Sequence, residues 1–277
     1  MKTPTIVLTI AGSDSSGGAG IQADIKTISA LGSYAASVIT SVTAQNTLGV
    51  QGIHPIPTDM VRQQIESVMD DLHPNAIKIG MVCNEEIALT IAECVRKYQP
   101  KWVIYDPVMV STSGHKLMTD ETIDTIRQEL IPLATLVTPN LHEANILETL
   151  NEIREGKILI REDEIKKRAD VLGKMYRRSI LVKGGHSDGE EMCDALYDAE
   201  EDLCSLFHAP KIESKNLHGT GCTLSSAIAT FLSQGHPLKE AIALAKNYVT
   251  QAIDAGKDMQ IGKGHGPLWH FYGKQSN

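Results

Sequence analysis

The residues most able to do chemistry lie in His218-Gly219-Thr220-Gly221-Cys222-Thr223-Leu224-Ser225-Ser226. Two glycines and a threonine stand just ahead of Leu224, Ala227, Ile228, Phe231 and Leu232, which recur at helical spacing. Glycines at a helix start let the backbone turn its free N–H groups toward a ligand, and the helix dipole adds roughly half a positive charge there. Such a site suits an anion, above all a phosphate. Cys222 stands at its mouth, where a helix N-terminus is expected to lower the thiol's pKa and favour thiolate. The competing reading is a glycine turn followed by a small buried cysteine. A second set of polar residues ends apolar runs: Asp106, Asn140 with Glu143, and Lys183. Asn140 and Glu143, three apart at a predicted helix start, also have the spacing of a capping box. Lys183 is either a phosphate partner or a solvated charge at a strand end.

The elements that must position these residues alternate along the chain. Thr5–Ala11 reads as a buried strand, followed by a glycine loop and a helix to about Leu31, closed by Gly32. Ser37–Ala44 is a second β-rich run, and Thr58 reads as the N-cap of a helix carrying Val61, Ile65, Val68, Met69 and Leu72. Strands are predicted at Ala76–Ile79, Trp102–Asp106, Thr135–Thr138 and Ser179–Lys183, with helices at Glu85–Lys97 and Glu121–Ile131. Met192–Tyr197 with Leu203–His208 reads as an antiparallel hairpin, and helices at about Thr223–Gln234 and Leu238–Ala255 finish the chain. The mixed charges of Asn151–Arg168 predict a solvated loop and surface helix. Near-continuous apolar strands separated by helices predict a mostly parallel sheet covered on both faces, a three-layer α/β/α single domain over residues 1–277.

Bulk properties narrow the function. A net charge of −8 opposes binding to nucleic acid, so a phosphate ligand must be held by local donors. The five cysteines are odd in number and widely spaced, which argues against a disulfide framework and fits a reducing cytoplasm. Apolar runs are too short to span a membrane, and the N-terminus lacks a signal-peptide pattern. The loop Gly12-Ser13-Asp14-Ser15-Ser16-Gly17-Gly18-Ala19-Gly20 opens a helix after the first strand, where α/β sheets bind ligands. Gly18-x-Gly20-x-x-Ala23 matches the dinucleotide pattern, yet the acidic residue expected about twenty positions on is replaced by Val38-Ile39-Thr40-Ser41-Val42. No Gly-Lys-Ser/Thr follows either, so the loop is neither common nucleotide motif and is expected to be flexible. Asp24, one turn into the helix, is an acid suited to a helix start.

Taken together, these segments resemble the hydroxymethylpyrimidine/phosphomethylpyrimidine kinases of thiamine synthesis, within the ribokinase-like superfamily. The resemblance covers nearly the whole chain in eight ordered blocks. It runs through Thr9-Ile10-Ala11-Gly12-Ser13-Asp14 with Ser16 to Asp24, Val42-Thr43-Ala44-Gln45-Asn46-Thr47, Lys78-Ile79-Gly80-Met81 and Asp106-Pro107-Val108-Met109. It continues in Thr138-Pro139-Asn140 with Glu143-Ala144, Lys183-Gly184-Gly185-His186, His218 to Ser225, and Gly262-Lys263-Gly264-His265-Gly266-Pro267.

The resemblance implies a ribokinase-like fold, a homodimer, and ATP with Mg²⁺. It implies that Gly219, Thr220 and Gly221 hold the transferring phosphoryl group and that Cys222, where the superfamily usually has aspartate, takes the proton of an alcohol. It implies a pyrimidine pocket of Gln45, Gly12, Asp24, Met81 and Val108; the planar amide of Gln45 suits an aminopyrimidine edge. It assigns ATP to Asp106, Asn140, Lys183, Thr220 and Lys246, and Mg²⁺ to Asp106 and Glu143. Without it, Gln45 reads as a loop amide, Met81 as core and Lys246 as a surface helix lysine. The reaction implied is ATP-dependent phosphorylation of 4-amino-5-hydroxymethyl-2-methylpyrimidine and then of its monophosphate. A pyridoxal or pyridoxine kinase is the alternative within the family; some such relatives carry a second cysteine in the segment after the aspartate strand. Here Met109-Val110-Ser111-Thr112-Ser113-Gly114 has none, which favours the pyrimidine kinase. A non-catalytic pyrimidine-binding protein would not need Cys222, Asp106 and Glu143 together, and the missing ribose acid disfavours a dinucleotide oxidoreductase.

Overall fold

The computed structural model describes residues 3–109, 118–148, 162–184 and 191–273. The segment 110–114, residues 151–161 of the charged stretch, and Gly185-His186 lie outside the described residues. Among the described residues nine strands form one sheet, in the order β3-β2-β1-β4-β5-β6-β7-β8-β9. They are β1 (Ile6–Asp14), β2 (Tyr34–Asn46), β3 (Gly49–Pro55), β4 (Ala76–Ile79), β5 (Val103–Tyr105), β6 (Leu136–Val137), β7 (Ser179–Gly184), β8 (Glu191–Asp198) and β9 (Leu203–Pro210). The six from β2 through β7 in that order run parallel; β3 at one edge and β8 near the other run against them, and β9, antiparallel to β8, runs with them again.

Period-two alternation explains how one strand serves two layers. Leu8, Ile10, Ile77 and Ile79 face a core built with α2 (Thr58–Leu72), α3 (Glu85–Tyr98), α5 (Leu141–Glu148) and α6 (Glu162–Tyr176). Val7, Ala76 and Ile104 face the other, built with α1 (Gly20–Ala30), α7 (Thr220–Ser233) and α8 (Leu238–Gly256). A short α4 (Asp120–Thr125) runs on into a π-helical turn at Ile126–Leu130. Among the described residues no helix is long and apolar enough to cross a membrane.

Three local expectations are corrected. Thr58 is the first residue of α2 instead of its cap: Pro57 holds the N-cap position, and the Thr58 hydroxyl donates to Glu86 Oε2 at 3.3 Å. Strand β3, unforeseen, is an exposed edge strand, so its sequence carries no buried face to generate a period. It pairs with the second half of β2, from Ser41↔Pro55 to Asn46↔Gly49, and carries that strand beyond the sheet as a hairpin. The glycine loop is not flexible in outline: Asp14, at the end of β1, folds it into a fixed turn. Its Oδ1 accepts the Ser16 N–H and hydroxyl, and its Oδ2 accepts the Gly18 and Ala19 N–H groups.

Alternation also turns Lys78 into the layer under α1 and α7, where it meets Asp24. Lys78 of β4 and Asp24 of α1 are both 0 % exposed. The Lys78 ammonium donates to both Asp24 oxygens at 3.0 and 2.9 Å, and the Thr9 and Ser226 hydroxyls donate to the same carboxylate at 2.5 and 2.7 Å. Removing one partner strands a buried charge, which costs about 3–5 kcal/mol. Asp24→Ala should therefore lower stability by about that amount in urea unfolding, and Asp24→Leu/Lys78→Met should recover most of it. A loss of less than about 1 kcal/mol in the single variant would show the pair to be energetically idle.

Candidate active site

The parallel strands end on a cavity of about 460 Å³, closed on one side by the start of α7. Gly219 caps that helix at φ 87°, a left-handed conformation that favours glycine. A Cβ there would stand 1.8 Å from the Gly18 carbonyl oxygen, so the two glycine loops touch backbone to backbone. Thr220 N–H and hydroxyl turn back to the Leu217 carbonyl, and Thr223 N–H already joins the helical ladder. Among the described residues the N–H groups of Gly221 and Cys222 are orphans of this helix start, and both residues line the cavity. A Cβ at Gly221 would lie 3.3 Å from Lys183 Nζ and 3.6 Å from Asp106 Oδ2. The missing side chain is what leaves room between the helix start and the charged groups opposite.

Those charged groups form one cluster. Lys183, on β7, is 2.7 Å from Asp106 Oδ1 and 4.0 Å from Glu143 Oε2. Asp106 is also held by the Thr138 hydroxyl at 3.2 Å and the Ser225 hydroxyl at 3.3 Å. Burial would raise its pKa, but the positive charges of Lys183 and Lys78 outweigh that and hold it below the usual carboxylate range. Glu143 goes the other way: burial and the neighbouring Asp106 charge push its carboxyl up to about 7 against the pull of Lys183. Asn140 and Glu143 do form the capping box, with Asn140 N–H donating to Glu143 Oε2 at 2.7 Å and Glu143 N–H to Asn140 Oδ1 at 2.9 Å. Both also line the cavity, so the cap leaves the two residues beside the space a ligand would fill.

Gly12, Gln45, Met81 and Val108 line the cavity as expected. The Gln45 carbonyl accepts from Thr43 at 3.1 Å, and its amide nitrogen stands 3.4 Å from His218 Nε2. That imidazole nitrogen is only 2.9 Å from Asp14 Oδ2 and needs its proton for the carboxylate, which leaves the Gln45 NH₂ available to a ligand.

Three expectations change. Asp24 does not line the cavity, and its carboxylate is consumed by the pair beneath the floor; Lys78 reaches the cavity in its place. Lys246 is neither a surface lysine nor a wall of the site: it is buried and bound to Asp194 Oδ2 at 2.6 Å. The Cys222 thiol is raised to about 11 instead of lowered, because burial and the charges of Asp24 and Asp106 outweigh Lys78 and a Gly20 N–H. The residues without a foreseen role are Lys78, Asp14 and His218. Lys78 was readable as a cation inside an apolar strand, and His218 as the first residue of the anion motif; Asp14 had no local signal.

The metal and nucleotide implied by the resemblance fit these residues. Asp106 and Glu143 are two buried carboxylates sharing one ammonium, a donor set with room for a hard divalent cation. The orphan N–H pair with an empty Cβ position at Gly221 fits phosphate oxygens.

A sequence profile described as phosphomethylpyrimidine kinase matches residues 14–269. The chain is 45% identical over 268 residues to the hydroxymethylpyrimidine/phosphomethylpyrimidine kinase of Rhizobium meliloti, covering 96% of this chain and 97% of that protein. It resembles the crystal structure of phosphomethylpyrimidine kinase from Clostridium difficile 630, at TM-score 0.76 and 42% identity over 90% of this chain and 99% of the other. It also resembles pyridoxal kinase from Staphylococcus aureus in complex with AMP-PCP and pyridoxal, at TM-score 0.86 and 30% identity over 99% and 96% of the two chains.

The Asp14 turn yields a test of its own. Burial alone would raise this carboxyl, but His218, Ser16 and Ala19 together hold it at about 2 against an ordinary 3.8. A depressed folded-state pKa contributes stability that is complete above pH 3.8 and is lost as pH falls through about 2. Asp14→Asn should remove that part of the acid slope in urea unfolding between pH 2 and 5. Identical slopes in the two proteins would mean the turn does not hold the charge.

Proposed function

The chain belongs to the phosphomethylpyrimidine kinase family and is a phosphotransferase of ribokinase-like fold, and from that premise we propose how its site works and on what. The substrate is an aminopyrimidine alcohol, 4-amino-5-hydroxymethyl-2-methylpyrimidine, and then its monophosphate, on the way to thiamine. The phosphoryl donor is ATP. One observation supports this most: the two orphan N–H groups of the α7 start face the Asp106–Lys183–Glu143 cluster across an unfilled Cβ position, with the Gln45 amide in the same cavity.

In this reading Gln45 offers its amide to the pyrimidine's amino edge, while Gly12, Met81 and Val108 shape the wall. Gly12 has to be small, since a Cβ would stand 2.9 Å from Met81 Cε and 2.8 Å from Ser41 Oγ. The hydroxymethyl oxygen attacks the γ-phosphorus in line as the bond to the β-phosphate oxygen breaks, and ADP leaves. The N–H groups of Gly221 and Cys222 and the Lys183 ammonium hold charge on the transferring group, with Gly219 and Thr220 fixing the turn. Mg²⁺, when bound by Asp106 and Glu143, supplies neutralisation of phosphate charge. Asn140 places a further amide toward the nucleotide. A single kinase domain and a cytoplasmic setting accord with the one sheet and the five free thiols. A homodimer would cover the exposed Val42, Leu48 and Ile53 of the β2–β3 hairpin, and sedimentation velocity decides between one and two copies.

The direct test is a coupled ADP-release assay with the pyrimidine alcohol, its monophosphate and pyridoxal, the last because of the similarity to the S. aureus enzyme. Turnover of both pyrimidines with a higher kcat/KM than pyridoxal is expected. Turnover of pyridoxal alone would overturn the substrate assignment, and no ADP release at all would overturn the mechanism.

Cys222 is assigned the alcohol proton. With its thiol held up to about 11, the thiolate fraction rises about tenfold per pH unit across the neutral range. The rate with the alcohol should therefore climb from pH 6 to 9, and Cys222→Ala should lower kcat by ~10²–10⁴ and abolish the climb. The monophosphate's nucleophile is already an anion, so its rate should fall less. Equal losses with both substrates and an unchanged pH profile would make Cys222 a wall of the anion site instead of a base.

A further inference from the structure

Outside the cavity, the β8–β9 hairpin and the start of α6 bring sulfur, nitrogen and oxygen donors to one point. Cys193 on β8 and His208 on β9 are direct cross-strand partners, so their side chains share a face of the sheet. Glu191, two residues before Cys193, takes the same face by strand alternation. Glu162, the first residue of α6, completes the group. A Glu162 oxygen, Cys193 Sγ and His208 Nδ1 all lie within 4.8 Å of one another. His208 Nδ1 is 3.6 Å from Glu162 Oε1 and 3.6 Å from Glu191 Oε2.

We propose that Glu162, Glu191, Cys193 and His208 bind a divalent transition-metal ion of the zinc class, at a site separate from the catalytic cavity. Tetrahedral coordination at 2.0–2.3 Å places ligand atoms about 3.3–3.8 Å apart, so the Glu162, Cys193 and His208 donors need to draw in by about 1 Å at most, and Glu191, 3.6 Å from His208 Nδ1, turns in as the fourth ligand. One thiolate, one imidazole and two carboxylates are a borderline-soft set that favours Zn²⁺ or Co²⁺ over Mg²⁺ or Ca²⁺. The sulfur forms a buried floor and the other three side chains an exposed rim, so an ion reaches the site directly from solvent. Coordination replaces the thiol proton, which leaves to water. Cys193 is also the register partner of Gly184 on β7, the residue after Lys183. A bound ion would thus fasten the hairpin to α6 one residue away from the catalytic cluster.

Titration of the metal-free full chain with Co²⁺, in excess Mg²⁺ to occupy hard-ligand sites, tests this by the thiolate-to-cobalt charge-transfer absorption. One equivalent giving the band is expected in the wild type and in Cys222→Ser, and no band in Cys193→Ser. His208→Gln and Glu162→Gln, both at exposed side chains and so compatible with folding, should weaken Co²⁺ binding by roughly 10²-fold. A wild type without the band overturns the proposal and leaves a protonated His208 ion-paired between two glutamates. A band that survives Cys193→Ser, or disappears in Cys222→Ser, overturns it by placing the ion on another thiol, and one unchanged in His208→Gln overturns it by removing the histidine from the site.

Discussion

The buried pair of Lys78 and Asp24 is the interaction on which the rest of the arrangement depends. It joins β4 to α1, and through the Thr9 and Ser226 hydroxyls it also joins β1 and α7 to the same carboxylate. Four elements that build the cavity therefore share one fully desolvated charge centre. In water such a pair contributes little, whereas in a closed interior either charge alone is intolerable. The lysine's pKa is raised by the Asp24 charge against the effect of burial, so it stays an ammonium. Its position under the cavity puts an ammonium in the floor whose charge is balanced by Asp24.

The chain as a whole is acidic, so the attraction for a polyanionic donor has to be local. In the proposed mechanism two features of the cavity wall supply it, the Lys183 ammonium to one side and the N–H groups at the start of α7 opposite. Two carboxylates, Asp106 and Glu143, lie beside them with opposite pKa shifts: Asp106 has Lys183 at 2.7 Å and feels the Lys78 charge as well, while buried Glu143 has Lys183 only at 4.0 Å and the Asp106 charge beside it. The imbalance is what makes a divalent cation a natural complement to the site.

Much of this was legible in the sequence, for reasons specific to particular residues. The parallel strands announced themselves because both faces are covered, so runs such as Ala76–Ile79 are apolar throughout except at Lys78. Asn140 and Glu143 were readable as a cap because capping is a local interaction. Strand β3 was invisible since it buries nothing, and Thr58 misled because the preceding Pro57 already occupies the cap position. Asp24 and Lys246 were placed at the ligand by family pattern, yet each is committed to a distant partner, Lys78 and Asp194, that only the folded chain brings within reach. Cys222 shows the same limit in energetic form. A helix start is a sequence feature, but the burial that overrides it belongs to the tertiary fold.

The close approach of Gly219 to the Gly18 carbonyl, together with His218 on Asp14, packs two loops that are about two hundred residues apart in sequence directly against each other. In the proposed mechanism one of them carries the wall against which the acceptor alcohol lies, and the other the amides that hold the anion. A change of acceptor specificity by loop grafting is therefore a two-site operation. A transplanted Gly12–Gly20 segment has to arrive together with the His218–Gly221 turn moulded to it, because either one alone would meet a partner of the wrong shape and lose the alignment between acceptor and donor.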